Sequence, residues 1–505
     1  MDKKTSRTTE KILLCGLALL MSCCKPPKTD FKPMYMEPMY NVSVEQGRVY
    51  ARSVKGYWST YPDTREDFGK IYTRKIKDLV LKKDLNLDMD LYYPKEPVTQ
   101  LRRPLLILIH GGAFYNGDKQ NLGFPELGHH FAERGYVVAS INYRLGFKPL
   151  APDVDRAGYR ALQDAYAAVC YLIENADEFG IDTSNIFAAG TSAGAITALN
   201  LAFLREENRP EATRKDGVKG WVSTAAKTIL SWINKGLHAF GNLFNKDWGV
   251  NGDTICESLG LDSDLGPINS FIGTQDCPFS IKAVVNMWGA VHDLSMLKNS
   301  PETAILSFHG DADPILPYGD GYPFDNMLVP YVEDVIEALP PSMSILAEWM
   351  NDWVTSGRPI NEWAFNQMHG SKTIHEKATS MGMHSELFTI GGGGHSLQLN
   401  ERRDSLSDYF NNTIQPEMTR FLCKEMVGGQ LVQPVQESGG WYKANGIENV
   451  AELHWVIEGG RIARKNGKDR VKVKFNNENT SHSVMVCGKY RNGIEFRVTC
   501  DQDPR

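Results

Sequence analysis

The sequence predicts an α/β protein: a doubly wound, mostly parallel sheet followed by a small C-terminal β-sandwich. Three observations carry this reading. From about residue 75 to 425, short apolar runs fit for strands covered on both faces alternate with helical periodicity. Small and titratable residues cluster just past the ends of those runs, where ligands bind in open α/β sheets. Beyond residue 440, short alternating runs are separated by turn residues, as in a sandwich.

The elements follow in order. Leu85–Tyr92 alternates and reads as a half-buried strand ended by Pro94 and Pro97. Pro104–Ile109 and Tyr136–Ile141 are continuous apolar strands. Leu162, Ala165, Val169, Leu172, Ile173 and Ala176 recur at helical spacing, and Gly180 stops that helix. Asn185 opens the next strand, which runs into a turn of small residues and then a helix of good formers. Ile281–Trp288, Ala304–Phe308 and Glu386–Ile390 complete the strand set. Residues 34 to 62, rich in Met and Tyr, give no clear assignment.

The chain divides accordingly. Residues 1–22 read as a lipoprotein signal peptide. Lys3, Lys4, Arg7 and Lys11 are basic, and Ile12–Met21 is apolar but too short to span a bilayer. Leu20-Met21-Ser22-Cys23 resembles a bacterial lipobox, with Cys23 as the residue to be lipidated. Residues 23–74 are a tether and N-terminal segment. Residues 75–425 are the α/β domain, interrupted by insertions at about 205–278 and 315–385. In the first, Ile229, Ile233, Leu237, Phe240 and Phe244 form an apolar helical stripe. The insertions read as extra helices on the core or as a cap over the site. Residues 426–440 are a Gly/Gln/Pro linker, and 441–505 the sandwich, with Trp455 in its core. The sandwich pattern resembles the PKD-like or Ig-like modules of exported proteins, and reads as a spacer or as a binder of carbohydrate or protein.

Composition narrows the function. The chain has 505 residues, 42% of them hydrophobic and 23% charged, with a formal net charge of -6. Without a basic, aromatic-laced patch, nucleic-acid binding is excluded from the expectations. Cysteine number and spacing fit no disulfide scaffold, although Cys256 with Cys277 and Cys487 with Cys500 are candidate pairs. No Cys/His cluster has zinc-site spacing, so no such metal site is expected.

The chemistry centres on Gly190-Thr191-Ser192-Ala193-Gly194, a G-x-S-x-G pattern between strand and helix. The pattern alone occurs by chance in roughly one chain in six of this length; its strand–turn–helix setting gives it weight. Ser192 is a weak nucleophile until a base takes its proton. His395, after the glycines 391–394, is the candidate base. Asp313 is the candidate acid that orients it, with Asp311 as the rival. The order Ser, Asp, His is one of the known triad orders. The N–H groups of Gly112, Ala113 and Ala193 are the candidate oxyanion hole. His110 and His309 read as residues that order their loops.

In combination, His110-Gly111-Gly112-Ala113-Phe114, Gly117-Asp118-Lys119, Asn142-Tyr143-Arg144, Gln163-Asp164-Ala165, the Ser192 elbow, His309–Asp313 and Gly394-His395 resemble the carboxylesterase/lipase group of α/β-hydrolases. The resemblance spans roughly residues 75 to 425 and implies hydrolysis of carboxylic esters without a cofactor. Ala113 departs from it, since many relatives carry a third glycine there. The expected protein is an exported serine esterase, lipid-anchored in the bacterial cell envelope at the outer membrane or cell surface. Its substrate would be a small-molecule or glycan-linked ester, such as an acetyl or feruloyl ester of a polysaccharide. The alternatives are a serine peptidase of dipeptidyl-peptidase type and a non-catalytic binding protein on the same scaffold.

Overall fold

Two long antiparallel strands open the main sheet, and the remainder of it is parallel. The computed structural model describes residues 31–59, 79–95, 102–146, 151–215, 217, 264–271, 277–324, 366–402, 404–476 and 482–500. The signal segment, Cys23, Cys256, the stripe Ile229–Phe244 and most of both insertions lie outside them.

The main sheet takes β1 (Val42–Ser59), β2 (Leu79–Pro94), β3 (Arg103–Ile109), β4 (Val137–Ile141), β5 (Ile181–Thr191), β6 (Ala283–Met287), β8 (Ala304–Gly310) and β11 (Ser385–Ile390). It has eight strands in the order β1-β2-β4-β3-β5-β6-β8-β11. β1 pairs antiparallel with β2, and β2 with β4. Every pair from β4 to β11 is parallel. The short strands β7 (Ala290–Val291), β9 (Asp320–Gly321) and β10 (Met368–Gly370) form a separate three-stranded sheet. Among the described residues the α-helices are α1 (Phe124–Ala132), α2 (Ala151–Glu174), α3 (Ala176–Phe179), α4 (Ala193–Phe203), α5 (Ser371–Ser380) and α6 (Gln415–Val427).

The parallel strands form where the sequence has unbroken apolar runs, because helices cover both faces. Every residue of β3, β4, β6 and β8 is buried. α2 and α4 bury Leu162, Val169, Leu172, Ile196 and Leu199 in the same core. Arg144, just past β4, and Asp164 of α2 are both buried. The Arg144 amide donates to Asp164 Oδ2 at 2.7 Å and its Nε to Oδ1 at 2.9 Å. Removing one partner of such a buried pair costs about 3–5 kcal/mol. The motifs Asn142–Arg144 and Gln163–Ala165 are thus a clamp between the sheet and α2.

Chain contacts divide the protein into two compact units. One is Tyr35–Met426; the other takes the chain from Val427 onward together with the described stretch before Tyr35. The expected tether at 23–74 therefore contains a sheet strand, β1. Its register shifts between Glu45 and Arg48, Val49 and Ala51, Ala51 and Val54, and Val54 and Gly56. Each shift breaks the alternation from which a strand is read.

The expected linker at 426–440 likewise contains β12 (Gln433–Glu437). It is an edge strand, where the missing N–H of Pro434 disturbs no inner ladder. The C-terminal unit has a four-stranded sheet, β12-β13-β16-β15, and a three-stranded sheet, β14-β17-β18. These are β13 (Trp441–Asn445), β14 (Val450–Glu458), β15 (Gly460–Asn466), β16 (Arg470–Phe475), β17 (Ser483–Tyr490) and β18 (Glu495–Thr499). Its core holds Tyr442, Val471, Val473, Val484 and Cys500, with the partly buried Trp455 packed against it. Cys487 and Cys277 are buried thiols outside any disulfide, so the candidate 487–500 pair is not formed. Cys487 lies within β17 and Cys500 just past β18, where pairing follows the ladder, Cys487 opposite Arg497.

Candidate active site

The nucleophile candidate stands on a strained turn. Ser192 leaves β5 with φ 52° and ψ -120°, and α4 starts at Ala193. This backbone is unfavourable for an L-residue and persists only where the surroundings enforce it. They do so by close packing. A Cβ at Gly194 would lie 2.0 Å from the Ile109 carbonyl oxygen, and one at Gly190 would lie 2.3 Å from the Gly194 backbone. The Ser192 amide also donates to the Met287 carbonyl of β6 at 2.9 Å. Both glycines of the pattern are therefore steric requirements of the elbow.

The loop after β3 wraps against this turn. A Cβ at Gly111 would lie 3.3 Å from Ser192 Cβ. Ala113 and Phe114 adopt φ of 53° and 58°, so two non-glycine residues in succession are left-handed. Tyr115 and Asn116 donate to the Gly112 carbonyl, and Gly146 donates to that of Phe114, which hold the conformation. Among the described residues, the N–H groups of Gly112, Ala113 and Ala193 have no hydrogen-bond partner. Such groups are available to a developing oxyanion. Since the backbone N–H is what matters, Ala113 can serve in the position of a third glycine.

His110 orders this loop. Its Nδ1 lies 2.7 Å from the Gly111 carbonyl, which can only accept, so Nδ1 carries the proton. Its ring stacks on Tyr143 at 4.4 Å, and the Tyr143 hydroxyl donates to the His110 carbonyl. Lys119 of the neighbouring motif reaches Asp88 at 3.1 Å, and its amide donates to Asn142. These motif residues anchor the loop to β2 and β4.

Burial pushes the His110 imidazole down to about 4, against the pull of its hydrogen bond to Gly111. The unfolded chain takes up this proton below about pH 6.5, whereas the folded protein does so only near its lowered value. Stability is thus fully present above about pH 6.5 and is lost as pH falls toward 4, by an amount on the order of 3 kcal/mol. We predict that urea denaturation of His110→Asn will show a shallower loss between about pH 7 and 4 than the unmodified protein. Equal slopes would contradict this.

The base and acid candidates meet past the adjacent ends of β8 and β11. His395 Nδ1 donates to Asp313 Oδ2 at 2.6 Å. Asp313 Oδ1 accepts the amides of Ile315 and Leu316 at 2.8 and 3.2 Å. A second imidazole shares the acid: His309 Nε2 lies 3.2 Å from Asp313 Oδ2. Burial would raise the Asp313 carboxyl, but the hydrogen bonds from His309 and His395 outweigh it and hold it well below the usual carboxylate range. Asp311 turns elsewhere and accepts the Gly392 amide at 2.6 Å. Of the two rivals, Asp313 contacts the His395 imidazole and Asp311 is bonded to the glycine loop.

Sequence reasoning missed what stands behind His309. Its Nε2 faces the carboxylate, and its Nδ1 lies 2.7 Å from Ser371 Oγ. Ser371 in turn accepts from Asn286 Nδ2 at 3.0 Å. The only local signal was Asn286, a polar residue inside the apolar β6 run. Trp288 was also missed. It follows β6 with φ 46°, and its ring stands edge-on to His395 at 6.3 Å. Ser192 hydrogen-bonds to Met287, the preceding residue, so this short segment contacts both the elbow and the imidazole.

An apolar cleft opens beside Ser192, Ala193 and Ala113, with about 860 Å³ of empty space, part of it open to solvent. Phe114, Leu162, Ile196, Leu316, Phe324 and Met368 are among its lining residues. Among the described residues, no group of His, Cys, Asp and Glu is placed to hold a metal ion.

An elbow serine, a histidine–carboxylate pair and unpartnered backbone amides lie past the ends of parallel strands of one sheet. Over part of its length the chain is similar to esterases. The BD-FAE family model matches residues 89–328 of it. Gut esterase 1 of Caenorhabditis elegans is 32% identical over 139 residues, 27% of this chain and 24% of that protein. Esterase-5C of Drosophila pseudoobscura pseudoobscura is 32% identical over 149 residues, 29% of this chain and 25% of that protein. The chain thus spans about a quarter of these curated relatives' length. Among solved structures, Thermogutta terrifontis esterase 2 aligns with 68% of this chain and 90% of its own, at 14% identity and TM-score 0.37.

Proposed function

We propose that the protein is a serine carboxylic-ester hydrolase acting through an acyl-enzyme. Ser192 Oγ attacks the ester carbonyl while His395 Nε2 takes its proton. Asp313 keeps the imidazole proton on Nδ1 and stabilises the imidazolium. The N–H groups of Gly112, Ala113 and Ala193 receive the oxyanion. His395 then protonates the leaving alcohol, and water, deprotonated by the same imidazole, releases the acid. The observation that carries the reading is the 2.6 Å contact of His395 Nδ1 with Asp313, past the ends of β8 and β11 in the same parallel sheet as the Ser192 elbow.

For the natural substrate we propose acetyl or feruloyl esters of polysaccharides. Cys23 would carry a lipid anchor that holds the exported protein in the cell envelope. The C-terminal sandwich would serve as a PKD-like or Ig-like spacer or binding module. The test is a panel of acetyl, butyryl, long-chain acyl and feruloyl esters beside a dipeptide amide. Turnover of at least one ester, and none of the amide, is expected. Cleavage of the amide alone would replace the esterase by a peptidase, and no turnover at all would leave a binding protein.

A further inference from the structure

The cleft beside Ser192 is mostly apolar, with Tyr159 and Asn200 among its lining, and on one wall Asp155 of α2 faces His292 and Asn366. Asp155 Oδ1 lies 3.3 Å from His292 Nε2, and its Oδ2 accepts from Asn366 Nδ2 at 2.7 Å. His292 Nδ1 lies 3.1 Å from the Gln367 carbonyl.

Proton placement follows from these partners. A carbonyl only accepts, so His292 Nδ1 carries a proton. Its Nε2 then faces a carboxylate oxygen at ion-pair range, which makes the two side chains a strongly polar pair. Asp155 keeps little solvent, with its side chain 11% exposed, while His292 is open to the cleft at 39%. A pair of this kind could tie α2 to the segments that bear His292 and Asn366. Its position on the wall of a mostly apolar cleft gives it a second consequence. A plain alkyl group seated there would strip water from a charged or strongly polar pair and return no hydrogen bond. A hydroxyl would return one.

We propose that the Asp155–His292 pair is a specificity determinant that reads a hydroxyl on the half of the ester seated in this cleft. It selects esters whose apolar body ends in a hydroxyl over unsubstituted esters of equal size. The proposal rests on the esterase reading given above. Asp155 and His292 touch the substrate's distal group and take no part in bond making. Hydrogen bonds to charged groups are worth about 1.5–3 kcal/mol, so the preference in kcat/KM is on the order of 10–100-fold, expressed mainly in KM.

The test uses the full chain and two matched series, with chains of roughly six to ten carbons to span the cleft. One compares p-nitrophenyl ω-hydroxyalkanoates with alkanoates of equal heavy-atom count. The other compares acetates of α,ω-diols with alkyl acetates, in case the alcohol half occupies the cleft. The unmodified protein is expected to favour the hydroxylated ester at one or more lengths in one series. Asp155→Leu should abolish or invert that ratio, mainly through KM. His292→Gln and Asp155→Asn should reduce it and serve if the leucine variant does not fold. Equal turnover of both esters by the unmodified protein at every length would overturn the proposal. So would a ratio unchanged in all folded variants. Failure of the esterase reading itself looks different, because no ester in either series would then be hydrolysed.

Discussion

Ser192→Ala is expected to lower kcat for a short-chain p-nitrophenyl ester by about 10⁴-fold or more. The oxyanion hole and the cleft remain in that variant, so a residual rate above the uncatalysed one is expected. Stability should hardly change. Alanine keeps the strained φ of 52° that the serine already bears, and the Ser192 amide keeps its bond to Met287. The readout is steady-state hydrolysis beside thermal unfolding. Full activity in a folded Ser192→Ala protein would remove the serine from the mechanism.

The second large effect belongs to the acid. Asp313→Asn is expected to cost about 10³–10⁴ in kcat. The amide can donate to His395 Nδ1 and so favour the tautomer that cannot accept the serine proton. It also leaves His309 facing an altered partner. Asp311→Asn should stay within about tenfold, because its contact is with the Gly392 amide and an asparagine oxygen can still accept it. Measuring both variants over a range of pH separates the roles. A severe loss in Asp311→Asn with turnover retained in Asp313→Asn would reverse the assignment.

These two aspartates also mark where the sequence stops being informative. They stand two positions apart after the same strand, and either spacing allows contact with a late histidine. Only the loop geometry separates them: Asp311 accepts the Gly392 amide, and Asp313 accepts His395. The elbow and the central strands were legible because their signals are local. Gly190, Ser192 and Gly194 lie within one turn, and the central strands β3, β4, β6 and β8 are wholly buried, so their runs are mostly apolar.

β1 was hidden by its register shifts. β15 was hidden because most of its residues are exposed and charged or polar, which leaves no apolar stripe to read. The support behind the acid was hidden by distance along the chain. His309 and Ser371 are 62 residues apart, and Asn286 and Ser371 are 85 apart. No periodicity reports such pairs. The polar wall of the cleft is of the same kind, joining Asp155 to Asn366 across 211 residues.

The central claim is that Ser192 is the atom-bearing nucleophile of an ester hydrolase, and covalent labelling tests it most directly. The intact protein is treated with a fluorophosphonate ester, digested and sequenced by mass spectrometry, with residual esterase activity followed in parallel. Activity should fall in step with a single adduct on Ser192, and Ser192→Ala should take up none. Loss of activity with the adduct on another residue, or undiminished ester turnover with Ser192 fully labelled, would contradict the account.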